Sequence, residues 1–305
     1  MTARLEVVAG IIRDSQGRFL LSQRPPHKHQ GGRWEFPGGK LEAGETPAQA
    51  LTRELEEELG IQVLDSMPFM TIHHDYPELS VRLMFRQVTG WQGEPHGREQ
   101  QPLGRFSLPQ LSQLAFPEAN RPVVRALQLP DYLLITPARL EDNWRERLAA
   151  AVEAGARLVY ARLGGASEAD YRALVSQAQK LGAEVMIADD LALARAVGAD
   201  GLHLTRAGQR RGSWPEDWQG WRSMACHDAS GLALARRWQA DLVMLSPVQA
   251  TASHTDARPI GWDALAGLAC GQPFSVYALG GVSPDDLSRA REYGARGVAG
   301  IRAFW

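Results

Sequence analysis

Residues 4 to 13 alternate apolar and polar positions as a strand does, Asp14-Ser15-Gln16-Gly17 reads as a turn, and 18 to 23 run back, so the chain opens on a hairpin. From 46 to 59 the period becomes helical. Leu51, Leu55 and Leu59 form one apolar stripe, Thr46 is a candidate N-cap, Pro47 fits the first turn and Gly60 is a stop signal. A second helix is expected over 121 to 128, closed by Pro130. After Asp131 the period switches to strand and helix in alternation. Strands are expected near 132 to 136, 157 to 163, 184 to 189, 201 to 204, 221 to 227, 241 to 246, 274 to 279 and 297 to 301. Helices are expected over 140 to 154, 168 to 181, 190 to 197, 229 to 238 and 284 to 293. Eight such strands predict a (β/α)8 barrel with its site at the C-terminal strand ends. It is a trimmed barrel, because 207 to 219 carries tryptophans but no clear helix, and no helix follows the eighth strand before Trp305. The chain thus reads as an α/β protein of two domains, 1–129 and 131–305, without a long linker.

The helix over 46 to 59 carries chemistry as well as packing. At about 100° per residue, Glu54, Glu57 and Glu58 share one third of its circumference beside the leucine stripe. Like charges at these spacings repel unless a cation compensates, and a hard divalent ion such as Mg²⁺ suits such a carboxylate face. Arg53, four residues before Glu57, is placed to orient that carboxylate by a bidentate contact. A solvated charged face with an Arg–Glu pair would look the same from the helix alone. The preceding loop, Trp34-Glu35-Phe36-Pro37-Gly38-Gly39, adds a strand end running into a glycine pair, where main chain can approach a metal or phosphate.

The spacing Gly39, five residues, Glu45, seven residues, Arg53-Glu54-Leu55, one residue, Glu57-Glu58, one residue, Gly60-Ile61 resembles the Nudix box at every fixed position. That resemblance implies an α/β/α Nudix sandwich for the first domain, ahead of the barrel read from the later strands, and hydrolysis of nucleoside diphosphates linked to another moiety with Mg²⁺ or Mn²⁺. By it Arg53, Glu54, Glu57 and Glu58 are catalytic, the three glutamates hold metal or activate water, and Gly38 offers a carbonyl. Further matches resemble the MutT subfamily, which clears oxidised guanine nucleotides. WQGEPHGREQQP at 91 to 102 resembles its loop with an additional metal-site glutamate, here Glu99, and FPEANRPV at 116 to 123 resembles its base-reading segment, here with Asn120. Arg24, after Phe19-Leu20-Leu21, matches a phosphate-contacting arginine, and Phe36 falls in the substrate-binding loop. Around Tyr76-Pro77-Glu78-Leu79 the family has an arginine near the base where this chain has Leu79, with Arg82 nearby.

The role of Asn120 also follows from hydrogen-bonding chemistry. Normal guanine presents acceptors at N7 and O6, whereas the 8-oxo form presents a donor at N7 beside the O6 acceptor. One side-chain amide can pair with that edge bidentately. The alternative is that Asn120 caps the helix starting near Arg121-Pro122.

Composition narrows the partners. The 305 residues carry 33 basic and 35 acidic side chains, a net charge of −2, which gives no basic footprint for a nucleic-acid polymer and favours a free nucleotide, which the MutT resemblance implies is 8-oxo-dGTP. The apolar run 7 to 12 is too short to span a membrane and lacks a signal-peptide layout. Two cysteines, Cys226 and Cys270, form no disulfide framework or zinc spacing, read as core thiols, and fit a reducing cytoplasm. Oligomeric state is not encoded in any of these signals.

In the barrel, Gly280-Gly281-Val282-Ser283-Pro284 follows strand seven and Gly300-Ile301 ends strand eight, where barrels build phosphate cradles; a paired glycine is also an ordinary tight turn. LLITP, GADGLHL, ADLVMLSPV and ALGGVSP, together with the rest of 131 to 305, resemble thiamine phosphate synthase and the related thiazole tautomerase. The resemblance carries Arg162 and Asp189 over as synthase residues and sets His227 at the tautomerase's catalytic histidine, although a lone histidine at a strand end is also a common structural residue. Other synthase positions differ: Gly164 and His254 stand where lysines are expected, Ala188 for an asparagine and Gly208 for a second acidic ligand. The expectation is an 8-oxo-dGTP diphosphatase fused to a divergent barrel that binds a phosphate ester. The alternatives are hydrolysis of thiamine-pathway diphosphates, an active synthase, and a barrel that only binds or scaffolds.

Overall fold

A computed structural model describes residues 4–26, 30–76, 79–251 and 258–305, so His254 and the Pro77-Glu78 pair lie outside the described residues. The described chain divides into two compact units, 1–128 with 270–273, and 129–269 with 274–305.

In the first unit, β1 (Leu5–Arg13) and β2 (Phe19–Gln23) form the expected hairpin. They are followed by β3 (Trp34–Glu35), β4 (Gly38–Lys40), α1 (Pro47–Leu59), β5 (Gln62–Asp75), β6 (Ser80–Gln92), β7 (Leu103–Phe106), α2 (Leu108–Leu111) and α3 (Arg121–Gln128). The strands run in the order β3-β2-β1-β6-β5, with β4 added to β1 and β7 to β2, and the β1–β6 pair is parallel. The long β5–β6 hairpin was not among the expected elements, because its bulges between Val63 and Asp65 and between Pro68 and Met70 break the period of two.

Strand β1 is the centre of this unit and feeds both cores. Val8 and Ile12 pack with Leu51, Leu55 and Leu59 of α1, while Ala9 and Ile11 pack with Val123, Val124 and Leu127 of α3. Alternation on one strand therefore sets a sheet between two helical layers, the α/β/α sandwich. Gly10 faces α1, where a Cβ would stand 3.1 Å from Leu55 Cδ1, so its lack of a side chain lets the helix lie close. Helix α1 begins on a capping box between Thr46 and Gln49 and ends on Gly60 at φ +68°.

The second unit is a closed parallel barrel of eight strands: β8 (Tyr132–Ile135), β9 (Leu158–Ala161), β10 (Glu184–Ala188), β11 (Gly201–Leu204), β12 (Trp221–Cys226), β13 (Leu242–Leu245), β14 (Ser275–Leu279) and β15 (Gly297–Gly300). Its helices are α4 (Trp144–Glu153), α5 (Glu168–Lys180), α6 (Leu191–Val197), α7 (Arg206–Gln209), α8 (Ala229–Arg237), α9 (Trp262–Ala269) and α10 (Leu287–Glu292). Along the strands one parity points inward, as with Leu133, Ile135, Leu158, Tyr160, Leu242, Met244 and Tyr277, and the other packs on the helices. The expected gap after β11 holds only one helical turn. Trp214 and Trp218 fill the space instead, both buried, with Trp214 Nε1 donating to the Leu202 carbonyl at 3.0 Å. Helix α9 went unforeseen, because a mean composition this apolar leaves little contrast between its faces. Cys226 is buried and its thiol is pushed up to about 12 by burial, but Cys270 is exposed, which corrects the reading of both as core thiols. Among the described residues no helix is long and apolar enough to cross a membrane.

Inside the barrel, His203 is 2% exposed, its Nδ1 pairs with Ser223 Oγ at 2.8 Å, and its ring lies 4.5 Å from that of Tyr160. Burial lowers its pKa to about 4, against a slight opposing pull from Asp189. The unfolded chain therefore binds the proton more readily, so the stabilising neutral form is fully present above about pH 6.5 and is lost as pH falls towards 4. We expect wild type to lose on the order of 1–3 kcal/mol more stability than His203→Gln between pH 7.5 and 4.5, read from urea midpoints. Parallel losses in the two proteins would show that the buried histidine is not responsible.

Candidate active site

The site is built where β3, the β3–β4 loop and α1 meet, and a single guanidinium organises it. Arg53 donates from Nε and Nη2 to the two Glu45 oxygens, both at 2.9 Å, from Nη1 to Glu54 at 2.9 Å, and from Nη2 to the Lys40 carbonyl at 3.0 Å. The bidentate partner is therefore Glu45. Glu57, expected in that role, receives only a 3.4 Å contact from Nη1 and is 59% exposed. The pairing holds Glu45 well below the usual carboxylate range and raises Arg53 further, chiefly through their mutual hydrogen bonds.

Glu54 and Glu58 face the glycine loop. The Gly38 N–H donates to Glu58 Oε2 at 3.1 Å, so what the structure shows at Gly38 is its N–H. A Cβ on Gly39 would stand 2.2 Å from Glu54 Oε2, and one on Gly38, at φ +147°, would stand 2.2 Å from the Val8 carbonyl oxygen. Gly38 needs glycine because backbone occupies that space, whereas a side chain at 39 would push the Glu54 carboxylate aside. Glu58 is pushed up to about 7, first by burial and then by the charges of Glu35, Glu99 and Glu54, against the Gly38 hydrogen bond. Glu35 thus belongs to the same acidic neighbourhood and is itself ion-paired to Arg24.

Glu99 reaches this neighbourhood through a loop that covers the end of α1. Arg98 N and Gln101 Nε2 donate to the Glu58 carbonyl at 2.9 and 3.0 Å, and Arg98 Nη1 donates to the Glu56 carbonyl at 3.1 Å. These bonds satisfy carbonyls that a helix end leaves open. Oxygen donors are thus gathered in a form that suits a hard divalent cation, although among the described residues no three acidic, histidine or cysteine side chains stand close enough to hold one as placed. An open groove of about 650 Å³ runs along the outer side of α1 and touches this cluster only through Arg53 and Glu57.

Phe36 does not line open surface. It is 3% exposed, stacks on Phe116 at 5.7 Å and meets Phe85 edge-on at 5.8 Å, so it supports the loop from within. Asn120 ends the 3-10 turn Glu118–Asn120 just before α3 and is buried, and its side-chain amide makes no hydrogen bond among the described residues, so no capping bond is present. Arg82 is held by Glu6 at 2.8 Å. Glu35 was missed from sequence: its link to Glu58 comes from across the sheet and helix, a signal that periodicity does not carry.

In the barrel, Asp189 sits at φ +56° with its carboxylate spent on Thr205, accepting from its N–H at 2.8 Å and from its hydroxyl. A Cβ on Gly208 would stand 1.8 Å from Asp189 Oδ1, so a second acidic side chain has no room there. The implied metal site of the synthase reaction does not fit these residues. Arg162 is exposed, its main-chain N–H donating to Thr136 Oγ1, and exposed His227 pairs through Nδ1 with the Ser246 carbonyl at 2.7 Å. Gly280 and Gly281, at φ +91° and +72°, pack against the Pro247–Ala250 backbone, and a Cβ on Gly300 would meet the Phe304 ring at 2.6 Å. The Ser283 N–H is taken by Asp286 Oδ2 at 2.9 Å. These glycines are thus demanded by the fold itself, whatever they bind.

Comparison with known proteins matches two families to separate stretches of the chain. A family described as NUDIX domain matches residues 8–126 and one described as thiamine monophosphate synthase matches 132–304. The 8-oxo-dGTP diphosphatase of Escherichia coli K12 is 40% identical over 125 residues, 41% of this chain and 97% of that protein. The CTP pyrophosphohydrolase of the same organism is 36% identical over 122 residues, 40% of this chain and 90% of that protein. A putative thiamine-phosphate synthase 2 of Aquifex aeolicus VF5 is 29% identical over 189 residues, 58% of this chain and 99% of that protein.

The tight fit at Gly39 generates a test. Gly39→Ala should displace the Glu54 carboxylate and lower kcat/KM for nucleoside triphosphate hydrolysis by about 10²-fold, the size of effect an ångström of misplacement produces. Circular dichroism should remain that of the wild type. Full activity in a folded Gly39→Ala protein would show that the contact places no catalytic group.

Proposed function

The chain belongs to the NUDIX family through residues 8–126 and to the thiamine monophosphate synthase family through 132–304, and from that premise we propose that this Nudix diphosphatase hydrolyses 8-oxo-dGTP to the monophosphate and pyrophosphate. The observation that carries the reading is the gathering of Glu54, Glu58, Glu35 and Glu99 about a glycine loop with Arg53 tying loop to helix. Glu54, Glu57 and Glu58, with Glu99 and the Gly38 carbonyl, would hold Mg²⁺ or Mn²⁺, which would neutralise phosphate charge and polarise the phosphorus under attack. Arg53 keeps Glu54 oriented, and Arg24, steadied by Glu35, is set to meet a phosphate oxygen. Asn120, a largely buried residue whose side-chain amide makes no hydrogen bond among the described residues, can pair with the donor–acceptor edge of the oxidised base. Removal of this nucleotide from the free pool, in a cytoplasmic setting, would prevent its mutagenic incorporation.

The test is a substrate panel on the purified chain with 8-oxo-dGTP, dGTP, CTP and thiamine diphosphate. Glu54→Gln and Glu58→Gln should each lower Mg²⁺-dependent turnover by about 10²-fold or more, and Asn120→Ala should bring kcat/KM for 8-oxo-dGTP down towards that for dGTP. Preference for CTP or thiamine diphosphate, or unchanged turnover in both glutamine variants, would sink the assignment.

For the barrel, at 131–305 by our boundaries with the Nudix domain at 1–129, we propose phosphate-ester binding without synthase turnover. Support comes from Asp189, whose carboxylate is committed to Thr205, and from Gly164 and Gly208, which bring no charge to help a diphosphate leave. The full chain should therefore fail to restore thiamine-free growth to a strain lacking thiamine phosphate synthase. Robust growth would show the barrel to be a working synthase.

A further inference from the structure

We propose that Tyr76 is a positioning residue for base selection, its hydroxyl fixing the turn that presents Asn120; the inference rests on the base-reading role proposed above. Asn120 closes a 3-10 turn of only three residues, Glu118–Asn120, a short element whose own hydrogen bond, Asn120 N–H to the Pro117 carbonyl at 2.9 Å, does little to fix where a side-chain amide points. The start of the segment is well anchored. Phe116 is stacked on Phe36, its carbonyl accepts from Arg33 Nη1 at 2.9 Å, and the Ala115 carbonyl accepts from Trp34 N at 2.9 Å.

At the Asn120 end, anchoring falls to Tyr76, which directly follows β5. Its hydroxyl hydrogen-bonds with the main chain of Ala119, the residue before Asn120, and with the side chain of Gln30, and Arg24 and Glu118 are its charged neighbours. One phenol thus links three segments: the loop after β2, the β5–β6 turn and the turn bearing Asn120. Tyr76 is itself held firmly. Its N–H donates to the Leu79 carbonyl at 2.9 Å, the Leu79 N–H returns a bond at 3.3 Å, and the His74 ring meets it edge-on at 4.3 Å. Burial pushes its phenol above the ordinary value, so the hydroxyl stays neutral through the physiological range. A donor–acceptor match discriminates only when the amide is held within about half an ångström of its productive position, and a bond to the neighbouring main chain supplies that constraint.

The experiment compares kcat and KM for 8-oxo-dGTP and dGTP in the full-length wild type, Tyr76→Phe, Asn120→Ala and the double variant. Tyr76→Phe keeps the ring and removes the hydroxyl. It should lower the 8-oxo-dGTP to dGTP preference by roughly three- to tenfold, mostly by raising KM for 8-oxo-dGTP while kcat stays within about twofold, as expected for one lost hydrogen bond. The double variant should discriminate no worse than Asn120→Ala alone, because the hydroxyl acts through that amide. If Asn120→Ala loses its preference while Tyr76→Phe retains it, the positioning role is wrong and base reading stands. If Asn120→Ala itself keeps the preference, base reading falls and the role of Tyr76 with it. Additive losses in the double variant would show that the hydroxyl acts independently of Asn120 and overturn the proposal.

Discussion

Arg53 is the interaction on which the first unit's chemistry depends, because it solves the problem created by crowding carboxylates onto one helix. Its five-donor fork reaches Glu45 before the helix, Glu54 within it and the Lys40 carbonyl at the end of β4. A lysine presents a compact charge and could not hold three such directions at once. Without the guanidinium, Glu54 would have only repulsive neighbours and the glycine loop would lose its tie to α1. The same crowding is left partly unanswered at Glu58, which has the Gly38 N–H but sits among three further carboxylates. A fold that leaves so much negative charge in one place is poised to take up positive charge there.

Helix α1 carries that arrangement only because its other face is committed. Leu51, Leu55 and Leu59 are fully buried against β1, and the absence of a side chain at Gly10 allows the helix axis to come close. The glutamates are therefore fixed by packing that has no part in chemistry. The loop from 93 to 102 closes the other end by giving its N–H groups and side chains to the last carbonyls of the helix, which is how Glu99 comes near residues more than forty positions earlier.

This separation explains what could be read from the sequence. The Nudix box was legible because its residue types and spacing are dictated by one helix and the loop before it, so local periodicity and chemistry coincide. The barrel was legible as a repeat, with β8 to β15 all falling within two residues of the expected strands. What escaped depended on distant partners. Glu35 acquires its role from Arg24 and Glu58, neither of which its own neighbours in the chain reveal. Glu57 was given the bidentate arginine on helical spacing alone, but Glu45 competes for the same fork from the loop and wins because both its oxygens can meet it squarely. Helix α9 and the β5–β6 hairpin escaped for a different reason, since an almost uniformly apolar helix and a bulged strand both blur the period that identifies them.

The barrel shows the same physics working towards a different end. A carboxylate at the end of a parallel strand is well placed for a ligand, yet Asp189 turns into a left-handed backbone conformation and gives both oxygens to Thr205. That pairing joins the loops after β10 and β11, and Gly208 leaves the room it needs. A side chain at 208 would collide with Asp189 as it stands, so the Thr205 bridge and a glycine at 208 go together sterically. A carboxylate so committed ties together the loops at the barrel mouth. The glycines at 280 and 281 likewise answer to the neighbouring Pro247–Ala250 backbone. Retaining the fold therefore requires those glycines whether or not the barrel turns anything over, and their presence alone is no measure of catalysis.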